Sequence, residues 1–172
     1  MRVLGIDPGT RITGFGCVEP MPTDRARLAL VDAGVFRLNA KASIADRLLE
    51  LDTDLAELIK RLKPDLFAVE MVFTHVKHPA TAMVMAHARG VILLAARRAG
   101  LPLVELRPTE VKKSLTGHGH AAKAQMQAAI QHEFGLPAPP EPADVADALA
   151  LSLIHISEPT RLRRTSYAVF CL

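Results

Sequence analysis

Four acidic residues in this chain of 172 could carry metal-assisted chemistry: Asp7, Glu70, Asp144 and Asp147. Asp7 and Glu70 each close a short apolar run, VLGID at 3–7 and DLFAVE at 65–70. A carboxylate at the end of a buried strand is costly unless something positive compensates it. Asp144 and Asp147 stand three apart near the start of an apolar C-terminal helix, so both project from one face. Ala148 and Leu151, which must bury, belong to that face too. Three of the acids also have a purely structural alternative. Asp7 can accept from the amides of Gly9 and Thr10 in a turn, and Asp144 and Asp147 can satisfy a helix dipole from its first turn. Sheet termini and a helix N-terminus can nevertheless converge on one point. Four carboxylates there repel one another and raise each other's pKa unless cations sit between them. An oxygen-only donor set suits Mg²⁺ or Mn²⁺. Two such ions about 4 Å apart form the site of two-metal phosphoryl-transfer nucleases.

Candidate partners for a phosphate lie nearby in sequence. Lys112, Lys113 and Lys123 flank a glycine-rich turn, GHGH at 117–120. Ammonium groups beside such a site can hold a phosphate and offset developing charge; otherwise they are solvated helix lysines, which is the reading for Lys113. Phe73 follows Glu70 by three residues, in a loop with His75, Lys77 and His78. It can stack on an unpaired base or close the core at the strand end. His118 and His120 form H-x-H, but two histidines without a nearby cysteine make a poor zinc site. A glycine turn approaching a phosphate backbone suits them better, and His75 and His78 are no stronger as ligands. Arg89 reads as a helix-surface or backbone-contact residue. No Ser-His-Asp or Cys-His set is present, and Cys17 reads as a small buried hydrophobe.

The elements that must position these groups follow from periodicity. Strands are expected at 3–7, 12–19 and 28–37, the three forming an antiparallel meander. Ser43 and Asp46 open a helix in which Ile44, Leu48, Leu51, Leu55, Leu58, Ile59 and Leu62 recur at spacings of three and four. Lys63-Pro64 ends it. A buried strand at 65–70 follows, then a helix from about 80 to 99 rich in Ala, Met and Gly, then a strand at 101–106. Pro108-Thr109 opens a helix to about 115, another runs from 121 to 134, PAPPEP is a stiff linker, and a last helix starts at Ala143. The strand-helix-strand pieces require parallel pairing with right-handed crossovers. The fold class is α/β, a mixed five-stranded sheet with helices on both faces.

Composition narrows the class. The length suits one domain with a full core. Apolar residues make up 49% without a single Trp, and no apolar run reaches the roughly 18 residues of a membrane span. Two cysteines make no disulfide framework, and the chain starts directly in a strand with no signal peptide, so a reduced cytoplasmic setting is expected. Of the net charge of +3, two units come from Arg161, Arg163 and Arg164 against Glu158. A polyanion must therefore be met by a local basic face.

GIDPGT at 5–10, VEMVF around Glu70, VKKSLTGHGHAAK at 111–123 and ADVADALALS at 143–152 together resemble RuvC-type Holliday junction resolvases over about residues 1–153. The resemblance implies an RNase H-like fold, a homodimer, and symmetric nicking of four-way DNA junctions in recombination and repair. It implies a Mg²⁺-dependent endodeoxyribonuclease with two ions per site, Mn²⁺ substituting, and 5′-phosphate and 3′-hydroxyl products. Asp7, Glu70, Asp144 and Asp147 match the metal-binding acids, with Asp at position 144 where some relatives carry His. Lys112 and Lys123 match lysines that contact the DNA backbone near the active site, and Phe73 matches a residue linked to junction distortion. A branch-migration motor is an implied partner. Two other readings compete: a module that binds junctions without cutting, and a nucleotide-binding protein of the actin and sugar-kinase type, whose first phosphate loop GIDPGT resembles. The second needs two lobes and a further D-x-G loop, for which this chain is too short.

From about His155 the resemblance stops. Residues 1–156 are read as the nuclease domain. The remainder, 157–172, looks like a translated sequencing-adapter read-through. It is expected to be disordered or poorly packed and to carry no function, and the authentic end of the last helix is expected to be missing.

Overall fold

A computed structural model describes residues 1–9, 11–24, 27–71 and 79–157. Their architecture follows from one central strand. β1 (Val3–Asp7) pairs antiparallel with β2 (Ile12–Pro20), which pairs antiparallel with β3 (Leu28–Arg37). On its other edge β1 takes β4 (Leu66–Glu70) in parallel, and β4 takes β5 (Leu103–Leu106) in parallel. The strand order is β3-β2-β1-β4-β5, the mixed five-stranded sheet that the patterning requires.

Alternation along β1 sends its side chains into two separate cores. Leu4 and Ile6 pack with Leu51, Leu55 and Ile92 under α1 (Ile44–Leu62) and α2 (Pro79–Arg98). Val3 packs with Met126, Ile130 and Leu149 under α3 (Pro108–Thr116), α4 (Lys123–Phe134) and α5 (Ala143–Ser157). Helices therefore cover both faces. A strand buried on both sides reads as the near-continuous apolar run seen at 3–6.

α1 shows how closely local sequence dictates local structure. The Ser43 hydroxyl accepts from the Asp46 amide at 3.1 Å and donates to the Asp46 carboxylate at 2.7 Å, closing the first turn. Leu51, Leu55, Leu58 and Leu62 form the buried stripe, each contributing about 1.5–3 kcal/mol. The helix stops at Lys63, held at φ 49°, because Pro64 cannot continue it. The Asp65 carboxylate then accepts from the Arg2 amide at 2.6 Å, which ties the start of β4 to the start of β1.

α2 is built differently. Ala88, Ile92, Ala95 and Ala96 are buried against α1 and the sheet. Gly90, by contrast, has nothing within 4 Å of where a side chain would begin, and Met83 (65%) and Leu94 (47%) are exposed. Arg89 departs from the expected surface role. Its guanidinium pairs with Glu105 of β5, because it lies on the side of the helix that meets the sheet edge.

Candidate active site

Parallel neighbours bring their carboxyl ends to the same side of the sheet. The β1–β4 register pairs Ile6 with Val69, so the next residues, Asp7 and Glu70, emerge side by side. Asp7 in turn faces Gly14 of β2. The absence of a side chain there lets the first turn of α5 descend onto the strand. A Cβ on Gly14 would collide with the carbonyl oxygen of Asp144 and stand 2.6 Å from its carbonyl carbon. Farther along the same groove, the buried Ser152 hydroxyl donates to the Gly16 carbonyl at 2.7 Å and the Ala148 carbonyl at 3.2 Å. α5 is thus fixed in height and rotation, and Asp144 and Asp147 turn towards Asp7 and Glu70.

The four acids line one open cavity of about 480 Å³, together with Lys112, Lys123, Arg11 and Met85. The electrostatics are those of crowded anions. The Asp7 carboxyl is raised well above the usual carboxylate range, first by burial and then by the charges of Glu70, Asp147 and Asp144, with Lys123 opposing. Burial, then Asp147, pushes Glu70 up to about 7 against the pull of Lys112 and Lys123. Asp147 is raised by burial, with Lys123 and Lys112 again opposing. Among the described residues none of the four acids forms a salt bridge. Nor do three or more ligand-type side chains close on one point. Like charges hold apart without a cation between them. An all-carboxylate set that no protein cation neutralises has the chemistry of a hard divalent-ion site.

Lys123 is the first residue of α4. A lysine at a helix N-terminus runs against the dipole, yet here its field falls on three buried carboxylates. The helix start is satisfied otherwise, the Gln125 side chain accepting from the Ala122 amide at 2.8 Å. Lys113 does not line the cavity, as expected of a surface lysine, and neither do His118 and His120. The GHGH turn is the C-cap of α3, with Gly117 at φ 79° and the Thr116 hydroxyl accepting from the His118 amide at 3.2 Å. The turn reading of Asp7 also has a competitor: the Gly9 amide donates to the Thr13 hydroxyl at 3.4 Å. Phe73, His75, Lys77 and His78 lie outside the described residues, as does the tail from 158. Cys17 is fully buried, and burial pushes its thiol up to about 12.

Arg11 and Met85 are among the lining residues that the sequence reading does not place at the site. Arg11 sits in the loop that follows Asp7, and its proximity in sequence was a usable signal. Met85 belongs to a helix that is apolar nearly all round, where no periodicity distinguishes the residue turned towards the cavity.

A central strand and its parallel neighbour ending in acids, with two more acids on a helix laid across them, form the arrangement of an RNase H-like fold. The sequence profile described as crossover junction endodeoxyribonuclease RuvC matches residues 3–155. The crossover junction endodeoxyribonuclease RuvC of Rhodopirellula baltica is 44% identical over 151 residues, covering 88% of this chain and 83% of the relative. The solved structure of Thermus thermophilus RuvC superposes with a TM-score of 0.81 at 32% identity, covering 92% of this chain and 95% of that one. The same protein in complex with a Holliday junction substrate gives 0.79 at 28%, with the same coverage. The chain belongs to the RuvC family. No helix among the described residues is long and apolar enough to cross a membrane.

Proposed function

We propose that this chain is a Mg²⁺-dependent endonuclease that resolves four-way DNA junctions by paired symmetric nicks, leaving 5′-phosphate and 3′-hydroxyl ends. The observation that carries the reading is the four-carboxylate cavity, unneutralised by salt bridges and rimmed by Lys112 and Lys123. Asp7, Glu70, Asp144 and Asp147 would hold two divalent cations, Mg²⁺ or in its place Mn²⁺, which when bound supply the Lewis acidity that phosphodiester hydrolysis needs. Lys123 and Lys112 hold the scissile phosphate and offset charge that grows on it during cleavage. The rigid seat of α5 in the glycine groove keeps the acids in place, so little reorganisation accompanies reaction. Phe73 stacks on a base at the junction centre.

The relative solved with a Holliday junction supports the choice of substrate. A two-fold junction calls for two sites related by a two-fold axis, and the exposed side of α2, with Met83, Gly90 and Leu94, is a candidate surface for the homodimer or for the DNA. A branch-migration motor as partner and action in recombination and repair rest on the family resemblance; the cytoplasmic setting rests on the cysteine usage.

The test is a synthetic four-way junction incubated with the protein, with and without Mg²⁺. Paired nicks that require the ion are expected; binding without nicking would overturn the reading. Lys123→Ala should lower the single-turnover cleavage rate ~10²-fold with a smaller change in junction affinity. An unchanged rate would remove Lys123 from the site. We also assign no role to residues 158–172. Their deletion should leave both melting temperature and cleavage unchanged, and a chain that unfolds on truncation would make the tail a genuine element.

A further inference from the structure

The cavity carries a third cation that the two lysines do not account for. Arg11 lines it from the β1–β2 loop, whereas Lys112 and Lys123 come from α3 and α4. Its backbone is anchored on both sides. The Leu38 amide donates to the Arg11 carbonyl at 2.9 Å. Across the loop, the hydroxyl of the fully buried Thr13, two residues downstream, donates to the Gly9 carbonyl two residues upstream at 3.0 Å. The side chain is exposed, and among the described residues it forms no ion pair. An arginine on a fixed loop, beside four carboxylates yet paired with none, is free to engage an anion from outside.

A DNA strand laid across this cavity must overcome repulsion from any acid not neutralised by metal. Cations on different walls can hold successive phosphates. Arginine suits such a role because its planar fork grips phosphate oxygens in pairs, which the point charge of a lysine does not.

We propose that Arg11 clamps a backbone phosphate adjacent to the scissile one and so sets where the cleaved strand lies across the acids. The proposal rests on the resolvase reading above, and the experiment separates the two. Cleavage is measured on a synthetic four-way junction in Mg²⁺ over a series of salt concentrations. Wild type, Arg11→Gln, Arg11→Lys and the control Lys60→Gln are compared; Lys60 lies in the last turn of α1, at the end of the sheet away from the site. A second set of junctions carries a neutral methylphosphonate at single positions flanking the cut. If wild type does not nick the unmodified junction, the resolvase reading falls and Arg11 with it. If it does, Arg11→Gln should lower kcat/KM about 10- to 100-fold and reduce the salt slope by about one contact. Arg11→Lys should recover part of the loss, and Lys60→Gln should lose nothing. At one flanking position the methylphosphonate should abolish the difference between wild type and Arg11→Gln. Equal losses on every methylphosphonate junction, or no loss on the unmodified one, would overturn the proposal.

Discussion

Asp7→Asn is expected to lower junction cleavage ~10³-fold or more, to leave junction binding intact, and to make the metal-free protein more stable. These three effects have one cause. Asp7 sits at the buried end of the central strand, and its carboxyl is pushed up by burial and by Glu70, Asp147 and Asp144. On the proposed reading that crowding is what draws a divalent ion into the cavity. Without the ion it is a cost. An acid whose folded pKa is raised binds more protons folded than unfolded, so its contribution to stability is largest at low pH and declines as pH rises. For Glu70 the window runs from its ordinary 4.5 to about 7, worth about 3 kcal/mol. Metal-free wild type should therefore melt roughly 5 °C or more lower at pH 8 than at pH 5.5, and Mg²⁺ should restore the difference at pH 8. In Asp7→Asn one member of the cluster no longer ionises, the slope should flatten, and Mg²⁺ should recover less. Calorimetric scans in chelator and in Mg²⁺ at both pH values measure all of this. Retained cleavage would remove Asp7 from the metal site, and a melting temperature that rises with pH in chelator would contradict the electrostatics.

Where the sequence was legible, a side chain announces its own environment. VLGID and LFAVE are buried strands ending in acids because nothing else keeps short apolar runs with a terminal carboxylate together. The leucines of α1 repeat with the helix period because one face is dry. From these follow the antiparallel meander of the first three strands and parallel pairing across the helical crossovers; the strand order and the β1–β4 register that sets Asp7 beside Glu70 belong to the fold. α2 was harder. Its apolar and small residues circle the helix, so pattern alone distinguished neither the side facing α1 from the exposed side, nor Met85 towards the cavity, nor Arg89 towards Glu105. Arg11 is a single cation in a loop and carries no period; its nearness to Asp7 in sequence is the one signal, and the folded cavity gives that signal its meaning.

Gly14→Ala should be nearly as damaging to cleavage as loss of an acid, although it touches no charge. The sequence shows glycines at 14 and 16 of β2 and at 5 of β1, which as strand composition is a weakness. The fold gives them their purpose. The register sets Gly5 opposite Gly16 and Asp7 opposite Gly14, and together they form a groove into which α5 settles along Asp144, Ala148 and Ser152, which share one helix face. A Cβ at position 5 would strike the Ala148 carbonyl and come within 2.5 Å of the Ser152 hydroxyl oxygen; one at position 14 would strike the Asp144 carbonyl. These obstacles include helix backbone, which cannot rotate away as a side chain does. The helix must lift. Overpacking of this kind costs about 1–3 kcal/mol, which a full core can tolerate, so Gly14→Ala should fold with a lower melting temperature. The larger effect falls on the site, because Asp144 and Asp147 ride on the turn that moves. A shift near 1 Å in a group that must meet a reacting phosphate can cost ~10²-fold in rate. The expected signature is cleavage reduced by that order in a folded protein that still binds the junction, with a Mg²⁺ dependence displaced to higher concentration. Gly5→Ala strikes α5 at the Ala148 carbonyl, one turn on from Asp144 and next to Asp147, and should cost similar stability and cleavage. Cleavage at the wild-type rate in Gly14→Ala would mean that the approach of α5 to β2 does not set the geometry of the four acids.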